Sequence, residues 1–377
     1  MTTVQRAFFE LVRAGLWGTQ ANAEAFDNNT DWNQLYICGK NQTLLGIMLD
    51  GMQTLPEELR PPRALYLKWC ASVLQTEENN RNLNSEVGKL FTLLRAHGVE
   101  PVLLKGQGVA RNYRQPLHRQ CGDIDIFIGK QNFELVNQLL RTDGVEEAEP
   151  TSKHCSFKWH GVDVENHKIL AKMNSPFTDR RLQRNIASWH GSGKEVQFDL
   201  AGCKVTVPPV EFDIIFILYH AIGHMLNEGV GLRQICDWTC LLHHNHATID
   251  RQAVAAELHA LHLERAARIF GAVAVKYLGL PAEYLPVGID DADYELGDWL
   301  LNDVWIRGNF GRGDANRKPR PKGYWRGKWH TYTRSFRRVR DMWRVAPDEA
   351  ACRPIAMIIN LLEAQKYKYF RRNNKNQ

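Results

Sequence analysis

The sequence predicts an α+β protein in which a small mixed β-sheet is flanked by N-terminal and C-terminal helical regions. Apolar residues recur at helical spacing through residues 1–98 and again from Glu211 onward, whereas residues 99–210 contain short apolar runs separated by turns. A chain of 377 residues is also too long for one typical core. We therefore predict four segments: an N-terminal helical region at 1–98, an α/β core at 99–210, a helical domain at 211–310 and a basic, aromatic-rich C-terminal arm at 311–377.

Two patterns predict helices in the first segment. The stretch MTTVQRAFFELVRAGLWG carries charges inside its apolar pattern and has no obvious cleavage site, so it is typical of an amphipathic helix rather than a signal peptide. A longer helical pattern runs from Arg63 towards Gly98, where glycine is a suitable C-cap. The region therefore contributes helices to the fold and no strand.

The second segment changes period and predicts the sheet. VEPVLLKG indicates a short strand, QGVARNY one or two helical turns, DIDIFIG a second strand, and KQNFELVNQLLRTDG a helix that ends at Gly144. HCSFKWHGVDVENHKIL predicts two more strands joined by a tight turn at Gly161, and VQFDLAGCKVTVPPV a final hairpin. The paired prolines after that hairpin mark a boundary.

Helical patterns return after the boundary. EFDIIFILYHAIGHML, LRQICDWTCLLHHN and RQAVAAELHALHLERAARIFGAVAVKYLG each have apolar residues at helical spacing. The longest apolar stretch, Ile214 to Leu226, contains two histidines and is shorter than the roughly 20 residues that a membrane-spanning helix needs. We therefore predict no transmembrane segment.

The cysteines indicate the compartment. Eight cysteines are scattered without a CxxC pair or a regular framework, which is typical of reduced thiols in a large intracellular protein. We expect the protein in the cytoplasm.

The net charge of +6 is concentrated near the C-terminus. Twelve Lys and Arg residues stand against Asp314 and Asp341 between Arg312 and Arg344, and five more follow from Lys366 onward. Six aromatic residues are interleaved with them: Tyr324, Trp325, Trp329, Tyr332, Phe336 and Trp343. Such an arm could bind nucleic acid or another anionic partner. The alternative is a helical arm whose aromatic side chains pack inward and whose arginines are solvated.

Four carboxylates in the predicted sheet carry the strongest chemical signal. Asp123 and Asp125 are two residues apart in one strand, and Asp163 and Glu165 are two residues apart in another, so each pair shares a face. Neighbouring carboxylates repel each other and are tolerated only in water or around a cation. If the two strands are neighbours, the cluster suits Mg²⁺ or Mn²⁺, because both ions prefer oxygen ligands. A solvated strand end remains the alternative.

Residues just before the aspartates suit an anionic partner. Lys105 and Gly106 lie where the first strand ends and a helix begins, and glycine allows a phosphate to approach the backbone closely. Arg111, Arg114 and Arg119 follow, and an arginine side chain can donate two parallel hydrogen bonds to phosphate oxygens. Lys105 could instead extend into solvent, and Arg119 could hold the carboxylates in place.

This stretch resembles a known family. LLKG, a tyrosine, an arginine and GDIDIFI are similar to the motifs of the uncharacterised nucleotidyltransferase family within the DNA polymerase β-like superfamily. VENHK resembles the strand that carries the third acid of that family, which aligns Glu165 and His167. LYHAIGH and LRQICDW resemble its helical H-x-x-x-H and R-x-x-x-D segments, so the resemblance extends from about Val99 to Leu242.

The resemblance implies a fold, an activity and a set of site residues. The core at 99–210 would be a nucleotidyltransferase core that moves a nucleoside monophosphate from a triphosphate such as ATP to an acceptor hydroxyl and releases pyrophosphate. Asp123, Asp125 and Glu165 would hold Mg²⁺ or Mn²⁺, and Glu165 or Asp163 would help to deprotonate the acceptor. Four residues would bind the nucleotide: Lys105, Gly106, Tyr113 and Arg119. The alternative function is a non-catalytic module on the same fold that binds a nucleotide or nucleic acid.

The two histidines of the first C-terminal helix suggest zinc, but the pattern argues against it. His220 and His224 lack the glutamate of a zinc protease, and the spacing of the nearby cysteines matches no standard zinc module. We expect instead that His220, Arg233 and Asp237 bond to one another or reach the active-site cleft. The helical region after Glu211 would then recognise the acceptor.

Overall fold

The computed structural model describes residues 1–142, 146–147, 154–227, 229–309 and 321–374. The first 98 residues are helical, as the sequence predicts. Four α-helices form this region: α1 Thr3–Trp17, α2 Trp32–Gln42, α3 Leu45–Met52 and α4 Arg63–Ala96. α4 ends at Ala96, and its C-cap is His97. Gly98 follows and adopts a left-handed φ of 75°. The predicted helix stop is therefore confirmed.

Helices α1 and α3 cross at two glycines. A Cβ added to Gly15 would lie 1.9 Å from the carbonyl oxygen of Ile47, and one added to Gly51 would lie 2.1 Å from that of Leu11. No carbon atom can approach an oxygen this closely, so the two backbones are in contact because both positions lack a side chain. This contact holds the N-terminal helices in a fixed arrangement.

We expect Gly15→Ala to lower the free energy of unfolding by about 3 kcal/mol, because the added methyl group must push α3 away from α1. Urea denaturation of the full chain measures this change. Gly88→Ala in α4 is the matched control, since a Cβ there meets only the Cys203 side chain, at 3.4 Å. Alanine also favours a helix more than glycine does, so the control should be neutral or stabilising. Equal losses in the two variants would contradict this account.

The sheet is mixed, as predicted, and has five strands in the order β1-β2-β5-β4-β3. β2 and β5 are parallel and the other neighbouring pairs are antiparallel. The strands are β1 Val102–Leu104, β2 Asp123–Phe127, β3 Glu146–Glu147, β4 His154–Trp159 and β5 Val162–His167. Because the parallel pair lies at the centre, the carboxylates of both strands are at the same end of the sheet.

Helices and a hairpin complete the α/β core. α5 Gly106–Ala110 follows β1, and α6 Gly129–Thr142 follows β2; the predicted stop of α6 at Gly144 lies outside the described residues. The predicted hairpin consists of β6 Val196–Leu200 and β7 Cys203–Val207 and forms its own two-stranded sheet. One helix, α7 Pro176–Trp189, has no counterpart in the sequence prediction. Its buried apolar residues, Leu182, Ile186 and Trp189, are separated by charged and polar residues.

Seven helices follow in the described part of the C-terminal half. They are α8 Val210–Asn227, α9 Leu232–Asn245, α10 Arg251–Ala260, α11 Glu264–Leu278, α12 Asp291–Arg307, α13 Tyr324–Met342 and α14 Pro347–Asn374. The pattern from Arg251 to Gly279, which the sequence presents as one stretch, is interrupted at His262, whose φ is 57°. Within the described ranges, no helix has the length and apolar character needed to cross a bilayer.

The N-terminal helices share a core with the C-terminal ones. The Phe8 and Phe9 rings of α1 lie 5.0 and 6.1 Å from Trp305 of α12, and Phe9 also contacts Tyr277 of α11. A second apolar cluster lies under the other face of the mixed sheet, where Ile124 and Ile126 pack with the end of α4. The sheet is thus held between two apolar clusters, and the carboxylate edge lies between them.

A buried arginine helps to anchor the C-terminal arm, together with core residues such as Met342 and Val345. Arg338 of α13 donates from two nitrogens to the two carboxylate oxygens of Asp303, at 2.8 and 2.9 Å. Four aromatic side chains of the arm are nevertheless exposed: Trp325, Trp329, Phe336 and Trp343. This differs from the alternative in which the aromatic residues pack inward. Residues 310–320, which carry part of the predicted basic run, lie outside the described residues.

Asp213, near the start of α8, provides a prediction on stability. Its carboxyl group is buried and its Oδ1 has no hydrogen-bond partner. Burial raises its pKa to about 7, against the opposing effect of the Arg111 charge. An unfolded aspartate ionises near pH 4, so the folded chain binds this proton more tightly. The resulting stabilisation is complete below about pH 4 and is lost as the pH rises towards 7.

We therefore expect Asp213→Asn to be more stable relative to wild type at pH 8 than at pH 5. Asparagine cannot ionise, so the variant avoids the cost of a buried carboxylate, which is on the order of a few kcal/mol. Thermal melts of both proteins at the two pH values test this. A stability difference that does not change with pH would show that Asp213 titrates normally.

Candidate active site

The two central parallel strands bring the predicted carboxylates together. In the register of β2 and β5, Asp123 lies opposite Asp163 and Asp125 lies opposite Glu165. Side chains in such a register point to the same face of the sheet, while Ile124 and Val164 point to the apolar cluster on the other face. The apolar alternation therefore fixes which face carries the acids. This arrangement results from the strand order and not from the local sequence.

These strands open onto a cavity of about 350 Å³ between the sheet and helices α8 and α9. Six residues that the sequence singled out as site residues line it: Lys105, Gly106, Arg119, Asp123, Asp125 and Glu165. The helices add others, among them His220, His224, Arg233 and Asp237. Two predicted site residues, Tyr113 and Asp163, do not line the cavity.

Asp125 is the most enclosed acid of the cavity. It is only 3% exposed, and its Oδ1 accepts hydrogen bonds from Lys105 Nζ at 3.0 Å and from His167 Nε2 at 2.8 Å. Burial alone would raise its pKa, but the charge of Lys105 and the bond to His167 outweigh burial and hold the pKa well below the usual range. Asp125 is therefore a carboxylate at every physiological pH.

Asp123 has the opposite electrostatic environment. Its side chain is reached by solvent, but it lies in a concave site beside Asp125. Reduced hydration and the charge of Asp125 together raise its pKa to about 6, although Lys105 acts in the other direction. An aspartate in this situation gains from any cation that binds next to it.

Lys105 reaches the acids because of an unusual backbone. Its φ is 50° and that of Gly106 is 40°, at the tight turn between β1 and α5. Positive φ is unfavourable for lysine, and such conformations persist mainly where the surroundings hold them. The charges of Asp125 and Asp123 outweigh the effect of burial and raise the pKa of Lys105, so the ammonium group is positively charged. The turn thus places one cation against the acid pair.

Arg119 faces a different acid from the ones that the sequence suggests. Its Nε and Nη2 donate to the two oxygens of Asp237 in α9, at 2.9 and 2.7 Å, and the pair is buried. Tyr113 is also buried and donates its hydroxyl to Asp237 Oδ1 at 2.7 Å. Tyr113 and Arg119 therefore tie α9 to the α/β core, and the Tyr113 hydroxyl lies behind the cavity wall.

His220, Arg233 and Asp237 do not hydrogen-bond to one another. The first of the two sequence-based expectations for these residues is therefore wrong. Arg233 donates from Nη1 to the carbonyl of Gln120 at 2.9 Å, and its buried Nε has no hydrogen-bond partner. His220 contacts His224, with their Nε2 atoms 2.9 Å apart. All three residues nevertheless line the cavity, which agrees with the second expectation.

Charges near the cavity determine the protonation of these groups. Burial, followed by the charge of Arg119, lowers the pKa of Arg233, because two guanidinium groups share this region. Burial and the charge of Lys105 lower the pKa of His224 to about 4 and move that of His220 in the same direction. Both imidazoles are therefore neutral near pH 7. The sequence pattern identified the helical segment that carries Arg233. It did not show that Arg233 is an arginine of the cavity without a carboxylate partner.

A second cluster lies on the sheet next to the aspartates. His154 of β4 and Glu165 and His167 of β5 place one ligand atom each within 4.8 Å of one another. Sequence reasoning missed His154, whose only signal is that it begins the strand antiparallel to β5. By contrast, Asp163 is 64% exposed and pairs with Lys158 at 2.9 Å. Of the two candidates for the third acid, only Glu165 lines the cavity.

Comparison with known proteins gives a family match. Residues 28–279 match a family described as "Uncharacterised nucleotidyltransferase". Among solved structures, the chain is similar to an antigenic nucleotidyltransferase-like protein from Paracoccidioides brasiliensis, with 14% identity and a TM-score of 0.35. That similarity covers 56% of this chain and 96% of the other. No curated protein matches the sequence.

The family match covers the whole α/β core, most of the N-terminal helices and the helices up to α11. It includes every residue that lines the cavity between the sheet and α9. The chain therefore belongs to the uncharacterised nucleotidyltransferase family.

Proposed function

We propose that this chain is a metal-dependent nucleotidyltransferase. An acceptor hydroxyl oxygen attacks the α-phosphorus of a nucleoside triphosphate, and the bond between that phosphorus and the oxygen bridging to the β-phosphate breaks. The acceptor gains a nucleoside monophosphate and pyrophosphate leaves. The hydroxyl proton passes to a carboxylate, for which Glu165 is the candidate within the cavity, and pyrophosphate carries away the electron pair of the broken bond.

One observation carries this proposal. Acidic side chains line one side of the cavity, and positively charged side chains that are not fully paired with carboxylates line the other. Asp123, Asp125 and Glu165 lie on the sheet, and Lys105 and Arg233 are at the turn and on α9. A triphosphate with its cation needs both kinds of group, because phosphate oxygens bind the ammonium and guanidinium groups while carboxylates bind the cation. A site for a neutral ligand would need neither.

The carboxylates fit Mg²⁺ or Mn²⁺ by their chemistry. Asp123, Asp125 and Glu165 offer only oxygen ligands, and reduced hydration followed by the charge of Asp125 raises the pKa of Asp123. Bound there, the cation would neutralise charge on the phosphates and on the attacking oxygen. Lys105 and His167 also contact Asp125 and offset part of its charge.

Three residues would act on the triphosphate directly or through the backbone. The Lys105 ammonium group is mobile enough to exchange its bond with Asp125 for a phosphate oxygen, because it lies on a long flexible side chain. Arg233 lines the cavity, and its buried Nε has no hydrogen-bond partner, so its guanidinium group can donate to another phosphate oxygen. Gly106 lines the wall next to Lys105, and its missing side chain leaves the backbone open to the ligand.

Arg119 and Tyr113 would have positioning roles. Both bind Asp237, and that carboxylate fixes α9, which carries Arg233 one helical turn earlier. A buried two-point pair of this kind strongly constrains orientation, and removing one partner leaves an uncompensated charge. This assignment differs from direct nucleotide binding by Arg119, because its two forked nitrogens are already bonded to Asp237.

We expect Arg233→Gln to weaken triphosphate binding by about 10- to 100-fold, the loss associated with one or two hydrogen bonds to a charged group. The free energy of unfolding should be unchanged or slightly higher, because a buried guanidinium without a carboxylate partner is removed. Isothermal titration calorimetry with a non-hydrolysable triphosphate and Mg²⁺ measures the change. The exposed Arg180→Gln in α7 removes the same charge elsewhere and serves as the control. Equal affinities in the two variants would remove Arg233 from the proposed site.

Transfer itself is tested with triphosphates labelled at the α-phosphate, incubated with the full chain, Mg²⁺ and a cell extract as the source of acceptors. The expected result is a labelled product and free pyrophosphate, both abolished by a chelator. The rival function, a non-catalytic binding module, predicts no product and triphosphate binding that does not require a metal. If binding instead falls steeply with salt and follows the basic arm, nucleic acid is the better partner.

A further inference from the structure

We infer that the sheet carries a cation site with nitrogen ligands, formed by His154, Glu165 and His167, which favours a transition metal over Mg²⁺. It shares Glu165 and Asp125 with the carboxylate site of the proposed function and does not otherwise rest on that function. The three side chains come from two adjacent antiparallel strands, and His154 lies opposite His167 in their register. None of the motifs that led to the active site includes His154.

Distances between the ligand atoms are those that one ion requires. Two ligands that are each about 2.1 Å from an ion are about 3.0 Å apart at a right angle and about 4.2 Å apart on opposite sides. His167 Nε2 lies 3.4 Å from Glu165 Oε2, and His154 Nε2 lies 4.0 Å from Glu165 Oε1. These two separations, each to a different oxygen of Glu165, fall within that range, and one ligand atom from each of the three residues lies within 4.8 Å of the other two. A modest shift of side chains would bring the three atoms onto one ion.

Asp125 can supply a fourth ligand. Its Oδ1 lies 2.8 Å from His167 Nε2, which is close to the separation of two adjacent ligands on one ion. Asp125 and Glu165 would then belong both to this site and to the carboxylate site of the proposed function. The Lys105 ammonium at 3.0 Å from the same oxygen shows that a positive charge is already favourable at this position.

The ligand types decide which metal binds. Imidazole nitrogen suits Zn²⁺, Cu²⁺ and Ni²⁺ and is a poor ligand for Mg²⁺, which prefers oxygen ligands in octahedral geometry. Two imidazoles and one or two carboxylates form a set that is common for such metals. The site therefore predicts that this nucleotidyltransferase family member uses a nitrogen-ligated transition metal next to its oxygen-ligated cation.

The test uses the full chain with one equivalent of Cu²⁺, excess Mg²⁺ to fill the oxygen-ligand site, and no nucleotide. Pulsed electron paramagnetic resonance detects ¹⁴N nuclei bound to the ion, and we expect an imidazole signal in the wild type. His154→Gln and the His154→Gln/His167→Gln double variant should lose it in steps, and Zn²⁺ affinity should fall about 10- to 100-fold, while Mg²⁺ affinity changes little. His244→Gln, at an exposed histidine in α9, should behave as wild type.

The wild-type spectrum tests for nitrogen ligation even if a variant fails to fold. Bound Cu²⁺ without a nitrogen signal, or a signal that survives in a folded double variant, would overturn the inference. The result is independent of catalysis. A chain that ligates Cu²⁺ through nitrogen but transfers no nucleotide supports this site and contradicts the proposed function. A chain that transfers nucleotide with Mg²⁺ and shows no nitrogen ligation contradicts this site alone.

Discussion

Asp125→Asn should lower nucleotide transfer by roughly three orders of magnitude, because the site loses a carboxylate that must help to hold the cation beside the phosphates. The substitution preserves the shape of the side chain, so positions in the cavity change little. Initial rates of labelled product formation, measured at saturating triphosphate and several Mg²⁺ concentrations, give the effect. Transfer at a near wild-type rate would be incompatible with the proposed mechanism.

Stability separates this role from a purely structural one. Asp125→Asn removes the charge that balances Lys105, so its melting temperature should fall, since the remaining ammonium is left poorly compensated. Asp123→Asn should behave in the opposite way. Its carboxylate has a raised pKa, which means that ionisation costs stability as the pH rises from about 4 to 6, and asparagine avoids this cost.

At pH 7.5 we therefore expect Asp125→Asn and Asp123→Asn both to lose transfer activity, although their melting temperatures differ. Asp123→Asn should retain or exceed the wild-type melting temperature and still lose nearly all transfer. A residue whose removal stabilises the fold and abolishes activity serves function rather than structure. If Asp123→Asn kept its activity, the acid pair would be no more than a strained strand end.

Glu165→Gln should be far more damaging to transfer than Asp163→Asn, by about 100-fold or more. The two positions lie in the same strand, on the same face and two residues apart, and each substitution removes one negative charge. Glu165 lines the cavity beside Asp125, whereas Asp163 is exposed and bound to Lys158. The pair is thus a matched comparison of a residue that lines the cavity with an exposed, ion-paired neighbour on the same strand.

Asp163→Asn should also leave folding almost unchanged, because an exposed ion pair contributes about 0–1 kcal/mol. Transfer rates and melting temperatures of both variants test the assignment. If Asp163→Asn proved the more damaging substitution, the third acid would be at position 163 and the acceptor would approach from the exposed edge of the sheet.

Local sequence was sufficient for most elements of the core. Strands with alternating apolar residues and helices with clear periodicity, such as DIDIFIG and LRQICDWTCLLHHN, were predicted within a few residues of their bounds. The prediction was wrong where a backbone break lacks a glycine or proline, as at His262. It also missed α7, whose apolar residues are too widely spaced among charges to stand out.

The sequence by itself determined the α+β class, the mixed sheet, the family and three of the acids that line the cavity. These depend on periodicity and on residue types, which are local properties. Only the tertiary structure decided which groups meet: that Arg119 is bound to Asp237, that Arg233 faces the cavity, and that His154 lies beside Glu165. The order of strands and the packing of α9 bring together residues far apart in sequence, and no short-range pattern encodes those contacts.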